Sequence, residues 1–300
     1  MKQLQNLVWI LLAVFSIALP ATSQAALSDY FVSTDWLAAN RDEVKVVDVR
    51  VLPLYLLGHV DGALHIDKQE FLAERAGVKS LIPTAAEFEA LMDRFGIGPE
   101  TKVVAYAEDK NPYAARFVWM LRYHGHEKSF VLDGGYEKWN KEDRATAMLP
   151  TQIVATSGYK CRKSSAIRAN AEDVLTRLTN PSVVIWDTRS PEEYEGTKVR
   201  ADRGGHIPGA THINWVNLQK EVDGVLVLKS EAEIRNMLAV DGITPDRQVI
   251  AHCQTGIRSS YATLVLLGLG FENALNYDGS WLEWANNPAL PVEAGLVAKQ

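Results

Sequence analysis

One pattern of residues occurs twice in the chain, and this internal repeat constrains the fold more than any other feature of the sequence. The segment 58–66 reads Gly-His-Val-Asp-Gly-Ala-Leu-His-Ile and recurs at 205–213 as Gly-His-Ile-Pro-Gly-Ala-Thr-His-Ile. An apolar run ending in Asp-x-Arg precedes each copy, at 46–50 and at 185–189. A second apolar run follows each copy, and after it comes an Asp-Gly pair ahead of a tryptophan. Shared landmarks in one order predict two homologous domains.

The fold class follows from the pattern inside each half. Short β-branched apolar runs alternate with helical patterns, which predicts βαβ units around a parallel sheet. The strand runs lack polar alternation, so we expect helices on both faces of each sheet. We therefore predict an α/β protein with domains at 26–150 and 151–300. Ligands bind such sheets at the carboxyl ends of the strands, so chemistry is sought there.

The first 25 residues differ in composition from the rest of the chain. Lys2 is their only charge, an apolar run covers 7–19, and Ser23 and Ala25 are small residues suited to a cleavage site. This order is typical of a secretory signal peptide, and the run is too short for a helix across the ~30 Å bilayer core. We predict a cleaved signal peptide at 1–25 and a periplasmic mature chain without stable membrane association. A retained membrane anchor is the alternative.

Charge and cysteine content exclude two classes of protein. The formal net charge is −6 and no basic block offsets it, so nucleic acid is not an expected partner. The chain has 2 cysteines in 300 residues, which excludes a scaffold built from disulfides. The fold must therefore depend on a buried apolar core.

The two repeats differ at the carboxyl end of one strand. In the first repeat, the strand predicted at 103–106 runs into a loop without sulfur. In the second repeat, the strand at 248–252 runs into a short loop and a long apolar helix predicted over 259–269. That loop, the cysteine loop below, consists of Cys253, Gln254, Thr255, Gly256, Ile257 and Arg258.

A cysteine at this place is suited to act as a nucleophile. A short turn from a strand into a buried helix points several backbone N–H groups into one small space, and the helix dipole and Arg258 add positive charge. These groups should lower the pKa of Cys253. Gly256 permits the turn because it has no Cβ. The arrangement fits a sulfur nucleophile whose product is negatively charged, such as a persulfide.

Three other interpretations of Cys253 are open at this point. It could be an inert buried thiol, or it could form a disulfide with Cys161 in an oxidising compartment. A cysteine phosphatase would also combine a cysteine and an arginine around an anion. Such loops place five residues between the two, whereas four separate Cys253 from Arg258. The tighter loop suits one sulfur atom better than a phosphate.

These motifs resemble the tandem-domain rhodanese family, which comprises thiosulfate and mercaptopyruvate sulfurtransferases. The likeness covers about residues 30–292. It depends most on the Asp187-x-Arg189 motif, the segment 205–210, the cysteine loop, Asp278-Gly279, Trp281 and Trp284. The resemblance implies two tandem rhodanese-like domains, of which the second is catalytic and the first has lost its cysteine.

The resemblance also implies a reaction. Cys253 takes the sulfane sulfur of thiosulfate, becomes a persulfide and passes the sulfur to a thiophilic acceptor such as cyanide or a thiol. The loop residues Gln254 to Arg258 bind the substrate and cradle the persulfide. No metal and no organic cofactor is implied. The expected partners are a small-molecule donor and acceptor, and a protein sulfur acceptor is the alternative.

The chain departs from the family pattern near the cysteine. Mitochondrial-type members have basic residues where this chain has Gln254 and Thr255, and an arginine where it has Glu193. Mercaptopyruvate enzymes read Cys-Gly-Ser-Gly-Val-Thr, which the cysteine loop does not match. We expect Arg258 to supply the positive charge, with Arg200 or Arg203 as helpers. Thiosulfate is the expected donor; another sulfane donor, 3-mercaptopyruvate and a persulfide carrier remain alternatives.

Supporting roles are predicted for residues around the loop. Asp187 and Arg189 are expected to brace it, because the same pair persists in the repeat that lacks cysteine. Trp281 could line the pocket. His252 should point away from Cys253, since neighbouring strand residues face opposite sides. The charged stretch 192–203, with Glu193 and Arg203, is expected to be a solvated surface loop.

Overall fold

The computed structural model describes residues 25–162 and 166–294. The predicted signal peptide, apart from Ala25, lies outside the described residues, so it and the periplasmic location stay predictions. Within these residues the chain forms two five-stranded parallel sheets, one from each repeat. None of the helices described is long and apolar enough to cross a membrane.

The N-terminal domain is built on the sheet with strand order β1-β8-β7-β2-β4. Its strands are β1 (Phe31–Val32), β2 (Val44–Asp48), β3 (His59–Val60), β4 (Leu64–His65), β5 (Ala73–Arg75), β6 (Val78–Leu81), β7 (Lys102–Tyr106), β8 (Ser129–Leu132) and β9 (Thr146–Ala147). Its helices are α1 (Thr34–Ala39), α2 (Leu52–Leu57), α3 (Ala85–Arg94), α4 (Tyr113–Tyr123) and α5 (Gly135–Lys141).

The C-terminal domain repeats this sheet with strand order β10-β16-β15-β11-β12. Its strands are β10 (Arg168–Ala169), β11 (Val183–Asp187), β12 (Thr211–His212), β13 (Gln219–Val222), β14 (Val225–Leu228), β15 (Gln248–His252) and β16 (Ala274–Tyr277). Its helices are α6 (Ala171–Leu175), α7 (Pro191–Glu195), α8 (Glu231–Val240), α9 (Ile257–Gly268) and α10 (Ser280–Asn286). The prediction of two repeated α/β domains with parallel sheets is confirmed.

The helices begin where the sequence places their caps. Thr84 and Glu87 form a capping box at the start of α3, and Ser230 and Glu233 form the equivalent box at α8. In each box the hydroxyl and the carboxylate bond to backbone N–H groups that the first turn leaves free. The apolar helix predicted from residue 259 begins two residues earlier, at Ile257, because Gly256 in the left-handed conformation serves as its N-cap.

Helices α4 and α9 pack against each other between the two domains. Their buried side chains belong to one apolar cluster that draws on both sheets, with Trp119 from α4 and Leu264 from α9. Separate clusters fill the opposite face of each sheet. The two domains therefore share a core, and α9 carries the cysteine loop at its N-terminus into that shared region.

Candidate active site

The cysteine loop connects the central strand β15 to helix α9. The strand ends at His252 and the helix begins at Ile257, so a tight turn has to reverse the chain between them. Gly256 makes this turn with φ 74°, and a Cβ there would lie 2.5 Å from the carbonyl oxygen of Asp278. Only glycine meets both conditions without displacing the backbone. Within the loop, Thr255 and Arg258 are partly exposed and the other residues are buried.

Cys253 lies at the bottom of the loop with 1% of its surface exposed. Burial raises the pKa of a thiol, but here it is outweighed by the charge of Arg258 and by hydrogen bonds from Ser259 and from the backbone N–H of Thr255. The pKa of Cys253 is lowered below its ordinary value as a result. The site therefore favours a thiolate, which is the nucleophilic form of cysteine.

Arg258 is held by a buried carboxylate. Its Nη1 lies 2.6 Å from Oε2 of Glu193 and its Nη2 lies 3.0 Å from Oε1. Burial alone would raise the pKa of Glu193, yet the hydrogen bond and charge of Arg258 bring it down to about 2. Arg200 adds a longer contact of 3.3 Å to the same carboxylate. The cation beside Cys253 is thus fixed in place by Glu193.

The solvated surface predicted for 192–203 is wrong at Glu193. This side chain is only 3% exposed, because it caps the start of α7 and pairs with Arg258 at the same time. Its departure from the family pattern was the signal that pointed to it. The same stretch also bends back over the loop, where Nε2 of Gln254 donates to the carbonyl of Arg200 at 2.9 Å.

Arg203 does not supply positive charge to the loop, contrary to the expectation that it would help. Its guanidinium donates to four carbonyl groups at the end of α10 and just beyond it. Carbonyls in the last turn of a helix have few partners within the helix, so Arg203 helps to close the end of α10. It supports the site only through the helix that carries Trp281.

Ser280 supports Cys253 from the next strand-to-helix turn, and no sequence motif pointed to it. Its hydroxyl accepts a hydrogen bond from the backbone N–H of Cys253 at 3.2 Å and donates to the carbonyl of Tyr277 at 2.7 Å. The residue has φ 54°, a left-handed conformation that costs a non-glycine residue about 1–3 kcal/mol. The equivalent position in the N-terminal domain is Gly135, with φ 55°. This position is therefore a serine in the domain that contains the cysteine loop and a glycine in the domain that does not.

Asp187 and Arg189 form a buried pair below the loop. The carboxylate accepts from Nε of Arg189 at 3.0 Å and from Nη2 at 2.6 Å, and Nη2 also donates to the carbonyl of Gly205 at 2.7 Å. The guanidinium lies 4.4 Å from the ring centre of Trp281. All three side chains are at most 1% exposed, so they brace the site from inside.

The same arrangement occurs in the N-terminal domain, where no cysteine is present. Asp48 and Arg50 make equivalent contacts at 3.0 and 2.6 Å, and the guanidinium bonds to the carbonyl of Gly58 and stacks on Tyr136. A geometry shared by both domains serves the fold. This supports a bracing role for Asp187, Arg189 and Trp281 over direct contact with a substrate.

His252 is the last residue of β15, directly before the cysteine, and its ring lies beside Asp187 on the neighbouring strand β11. Its Nε2 is 3.6 Å from Oδ2 of Asp187, and burial lowers its pKa to about 4 despite that carboxylate. Its other ring nitrogen, Nδ1, lies 3.4 Å from the carbonyl oxygen of Cys253. The ring is neutral at pH 7 and belongs to the packing below the loop.

Both cysteines are free thiols in the structure. Cys161 is partly exposed, and its Sγ lies 3.8 Å from Nδ1 of His124, so it is not bonded to Cys253. Burial and Glu89 raise the pKa of Cys161 to about 11. The residue is thus poorly suited to act as a nucleophile. Among residues 25–162 and 166–294, no group of three or more His, Cys, Asp and Glu side chains could hold a metal ion.

A buried cysteine in a turn between a parallel strand and a helix, beside an arginine and inward-facing N–H groups, is the arrangement that an α/β enzyme with a cysteine nucleophile requires. A model of the rhodanese-like domain matches the chain twice, at residues 33–142 and 170–287. The chain belongs to the rhodanese family, as the tandem motifs indicated, and it is a sulfurtransferase.

Relatives of known name cover most of the chain. The thiosulfate sulfurtransferase of Pseudomonas aeruginosa is 35% identical over 253 residues, which are 84% of this chain and 91% of that protein. The sulfur carrier protein TtuD of Thermus thermophilus is 36% identical over 284 residues, which are 89% of this chain and 97% of that protein. The two relatives differ in what their names say about the fate of the sulfur.

Solved structures share the fold at lower identity. An anaerobic ergothioneine biosynthesis enzyme from Chlorobium limicola superposes with a TM-score of 0.81 at 23% identity, over 90% of this chain and 71% of that chain. The crystal structure of YnjE gives a TM-score of 0.79 at 24% identity, over 90% of this chain and 69% of that chain. These likenesses show the fold alone.

Proposed function

We propose that this protein is a thiosulfate sulfurtransferase that carries sulfur as a persulfide on Cys253. The observation that carries the proposal is the position of a buried thiol at the turn into α9, beside Arg258 and the N–H groups of Thr255 and Ser259, which together lower its pKa. A nucleophile and groups that stabilise its negatively charged product are thereby combined in one loop. The relative from Pseudomonas aeruginosa named for thiosulfate supports the choice of donor.

The proposed reaction has two displacements. The Cys253 thiolate attacks the outer sulfur of thiosulfate, the S–S bond of the donor breaks, and sulfite leaves with the bonding electron pair. The enzyme then holds Cys253–S–S⁻. A thiophilic acceptor such as cyanide attacks the outer persulfide sulfur and leaves as thiocyanate, which restores the thiolate. No net oxidation is required.

The loop has the same task in both steps, which is to hold a negative charge on sulfur. The backbone N–H groups of Thr255 and Ser259 are aimed inward before any substrate binds, so little reorganisation accompanies the reaction. Arg258 adds a charge at the partly exposed rim, where an anionic donor arrives. Gln254 ties the loop to the carbonyl of Arg200, Ile257 begins α9, and Gly256 allows the turn.

A sulfur carrier is the second candidate, because the relative TtuD bears that name and aligns with 89% of this chain. Carrier and catalyst need the same persulfide and differ in the acceptor. A protein acceptor would have to reach Cys253 past Thr255 and Arg258, the partly exposed residues of the cysteine loop. We also propose export to the periplasm, on the composition of residues 1–25.

Steady-state assays test the proposal. We expect turnover of thiosulfate with cyanide, ping-pong kinetics, and loss of turnover in Cys253→Ser, while Cys161→Ser keeps full activity. Assays with 3-mercaptopyruvate under the same conditions test this compound as the sulfur donor, and assays with p-nitrophenyl phosphate test for phosphatase activity. Turnover of 3-mercaptopyruvate without turnover of thiosulfate would overturn the choice of donor, and turnover of p-nitrophenyl phosphate alone would overturn sulfur transfer at Cys253. A persulfide that resists cyanide but passes to a protein thiol would favour the carrier.

A further inference from the structure

Arg116 belongs to the domain without cysteine, yet its side chain ends beneath the cysteine loop of the other domain. It is a residue of α4 and is 0% exposed. Its Nη2 donates to the carboxylate of Asp278 and to the carbonyl of Ser80, and its Nη1 donates to the carbonyl of Gly256 at 3.3 Å. Nη1 and Nη2 have partners in this way, whereas Nε has none among the described residues. The buried charge is balanced by the ion pair with Asp278.

The carbonyl of Gly256 is the contact that concerns catalysis. It also accepts from the hydroxyl of Ser260 at 2.6 Å and from Nδ2 of Asn276 at 3.0 Å. Gly256 lies between Thr255 and Ser259, the two residues whose N–H groups bond to the sulfur. Three side chains therefore donate hydrogen bonds to the carbonyl of Gly256. This carbonyl lies, along the chain, between the two N–H groups that bond to the sulfur.

The internal repeat shows that this contact is particular to the cysteine loop. Helix α4 ends two residues before Gly125, and α9 ends two residues before Gly270. Arg116 and Tyr261 each precede these glycines by nine residues, so they occupy equivalent positions in the two repeats. Tyr261 reaches across to the N-terminal domain as Arg116 does in the other direction, and it lies near Asp133 and Gln219. Each helix thus extends one side chain to the partner domain's Asp-Gly turn. Of these two side chains, Arg116 is a cation and Tyr261 is not.

We propose that Arg116 is a positioning residue for sulfur transfer, through which the domain without cysteine holds the cysteine loop in its anion-binding shape. This inference rests on the proposed function of Cys253. Arg116 acts through the backbone of Gly256 and does not touch the substrate. It gives the N-terminal domain a task in the reaction besides its share of the core.

Two variants separate this role from packing. Arg116→Lys keeps a charge for Asp278, but one nitrogen cannot replace both Nη1 and Nη2. Arg116→Met removes every donor. The pH dependence of alkylation by iodoacetamide reports the Cys253 pKa in a Cys161→Ser background, and it needs no sulfur donor.

We expect both variants to move the alkylation midpoint upward by about one pH unit, since N–H donors that are no longer fixed stabilise the thiolate less. The kcat for sulfur transfer should fall on the order of ten- to a hundredfold, while the KM for thiosulfate changes little. If Arg116→Met does not fold, Arg116→Lys carries the test alone.

Tyr261→Phe is the matched control, because it alters the equivalent cross-domain contact on the other side. We expect it to leave the midpoint and kcat at wild-type values. A wild-type midpoint in Arg116→Lys, or an equal shift in Tyr261→Phe, would overturn the inference. Wild-type protein that takes no sulfur from thiosulfate would instead refute the proposed function, and the alkylation midpoints would still test Arg116.

Discussion

At the scale of single residues, the sulfur of Cys253 and two charged side chains define the site. The sulfur lies beside Arg258, and Arg258 is paired with Glu193. The negative charge behind the arginine limits how far the arginine lowers the thiol pKa. This balance suits catalysis, because the nucleophilicity of a thiolate falls together with its pKa. Ser280 fixes the backbone of the same cysteine from the opposite side.

Removing Arg258 should affect reactivity and stability separately. Arg258→Met is expected to raise the alkylation midpoint of Cys253 by more than about one pH unit, since the arginine's charge does more than any other group to lower that pKa against the effect of burial. It should also destabilise the protein by up to about 3 kcal/mol, because the buried Glu193 then keeps only its longer ion pair with the half-exposed Arg200. Iodoacetamide titration and urea unfolding measure the two effects.

The double variant Arg258→Met/Glu193→Gln is the control. It should recover most of the lost stability, since no weakly paired charge stays buried, but it should not restore the alkylation midpoint. A midpoint that returns to the wild-type value in the double variant would contradict a direct effect of Arg258 on the sulfur.

How far single residues could be predicted depended on the repeat. The sequence singles out Cys253 because the first repeat lacks it, and it predicts a bracing role for Asp187 because Asp48 matches it. Ser280 and Arg116 could not be found in this way. Their partners lie 27 and 140 residues away in the chain, and only the packed structure brings them together.

At the scale of elements, the decisive unit is the turn between β15 and α9. Gly256 combines a left-handed φ with a backbone neighbour at 2.5 Å from the place of a Cβ. The sequence predicted the need for this glycine and placed the loop correctly. It placed the start of α9 two residues late, because Ile257 and Arg258 belong to the helix while their side chains still serve the loop.

Substituting two glycines separates conformational strain from steric conflict. Gly209 has φ 71° with nothing within 4 Å of a Cβ, whereas Gly256 has φ 74° and the Asp278 carbonyl in the way. Gly209→Ala should cost about 1–2 kcal/mol of unfolding free energy and keep activity. Gly256→Ala should cost more and reduce kcat by at least about a hundredfold, because the loop donors move. Equal kcat values in the two variants would contradict the steric explanation.

At the scale of the whole molecule, a hairpin of each domain contacts the aspartate of the other domain's Asp-Gly turn. The N–H of Ile82, just after hairpin β5–β6, lies 3.4 Å from Oδ2 of Asp278 in the C-terminal domain. The N–H of Leu228, from hairpin β13–β14, donates to Oδ1 of Asp133 in the N-terminal domain at 2.8 Å. The internal repeat predicts two similar domains. It does not predict these hydrogen bonds between them, which depend on how the domains are oriented relative to each other.

The buried histidines that follow α4 should make the stability of the protein depend on pH. Burial lowers the pKa values of His124 and His126 to about 4. Between pH 6.5 and 4 the unfolded chain binds protons that the folded chain does not, so stability falls as the pH falls. The loss is at most about 1.4 kcal/mol per pH unit for each histidine.

Replacing one of them tests this dependence. His126 corresponds to Phe271 in the C-terminal domain, so His126→Phe introduces a side chain that the fold already accepts there. Urea unfolding at pH values of about 7.5, 6.5 and 5.5 should show a smaller loss of stability on acidification in the variant than in wild type. The variant should be less stable at the highest of these pH values, because the contact with Tyr159 is lost. Parallel pH profiles would contradict the role of His126.

Whether Cys253 accepts one sulfur atom is the central question, and intact-mass measurement after treatment with thiosulfate tests it most directly. We predict a gain of about 32 Da in the wild-type protein and in Cys161→Ser, reversed by cyanide, and no gain in Cys253→Ser. An unchanged wild-type mass under conditions in which the thiol alkylates readily, or a gain that persists in Cys253→Ser, would contradict persulfide formation on this cysteine.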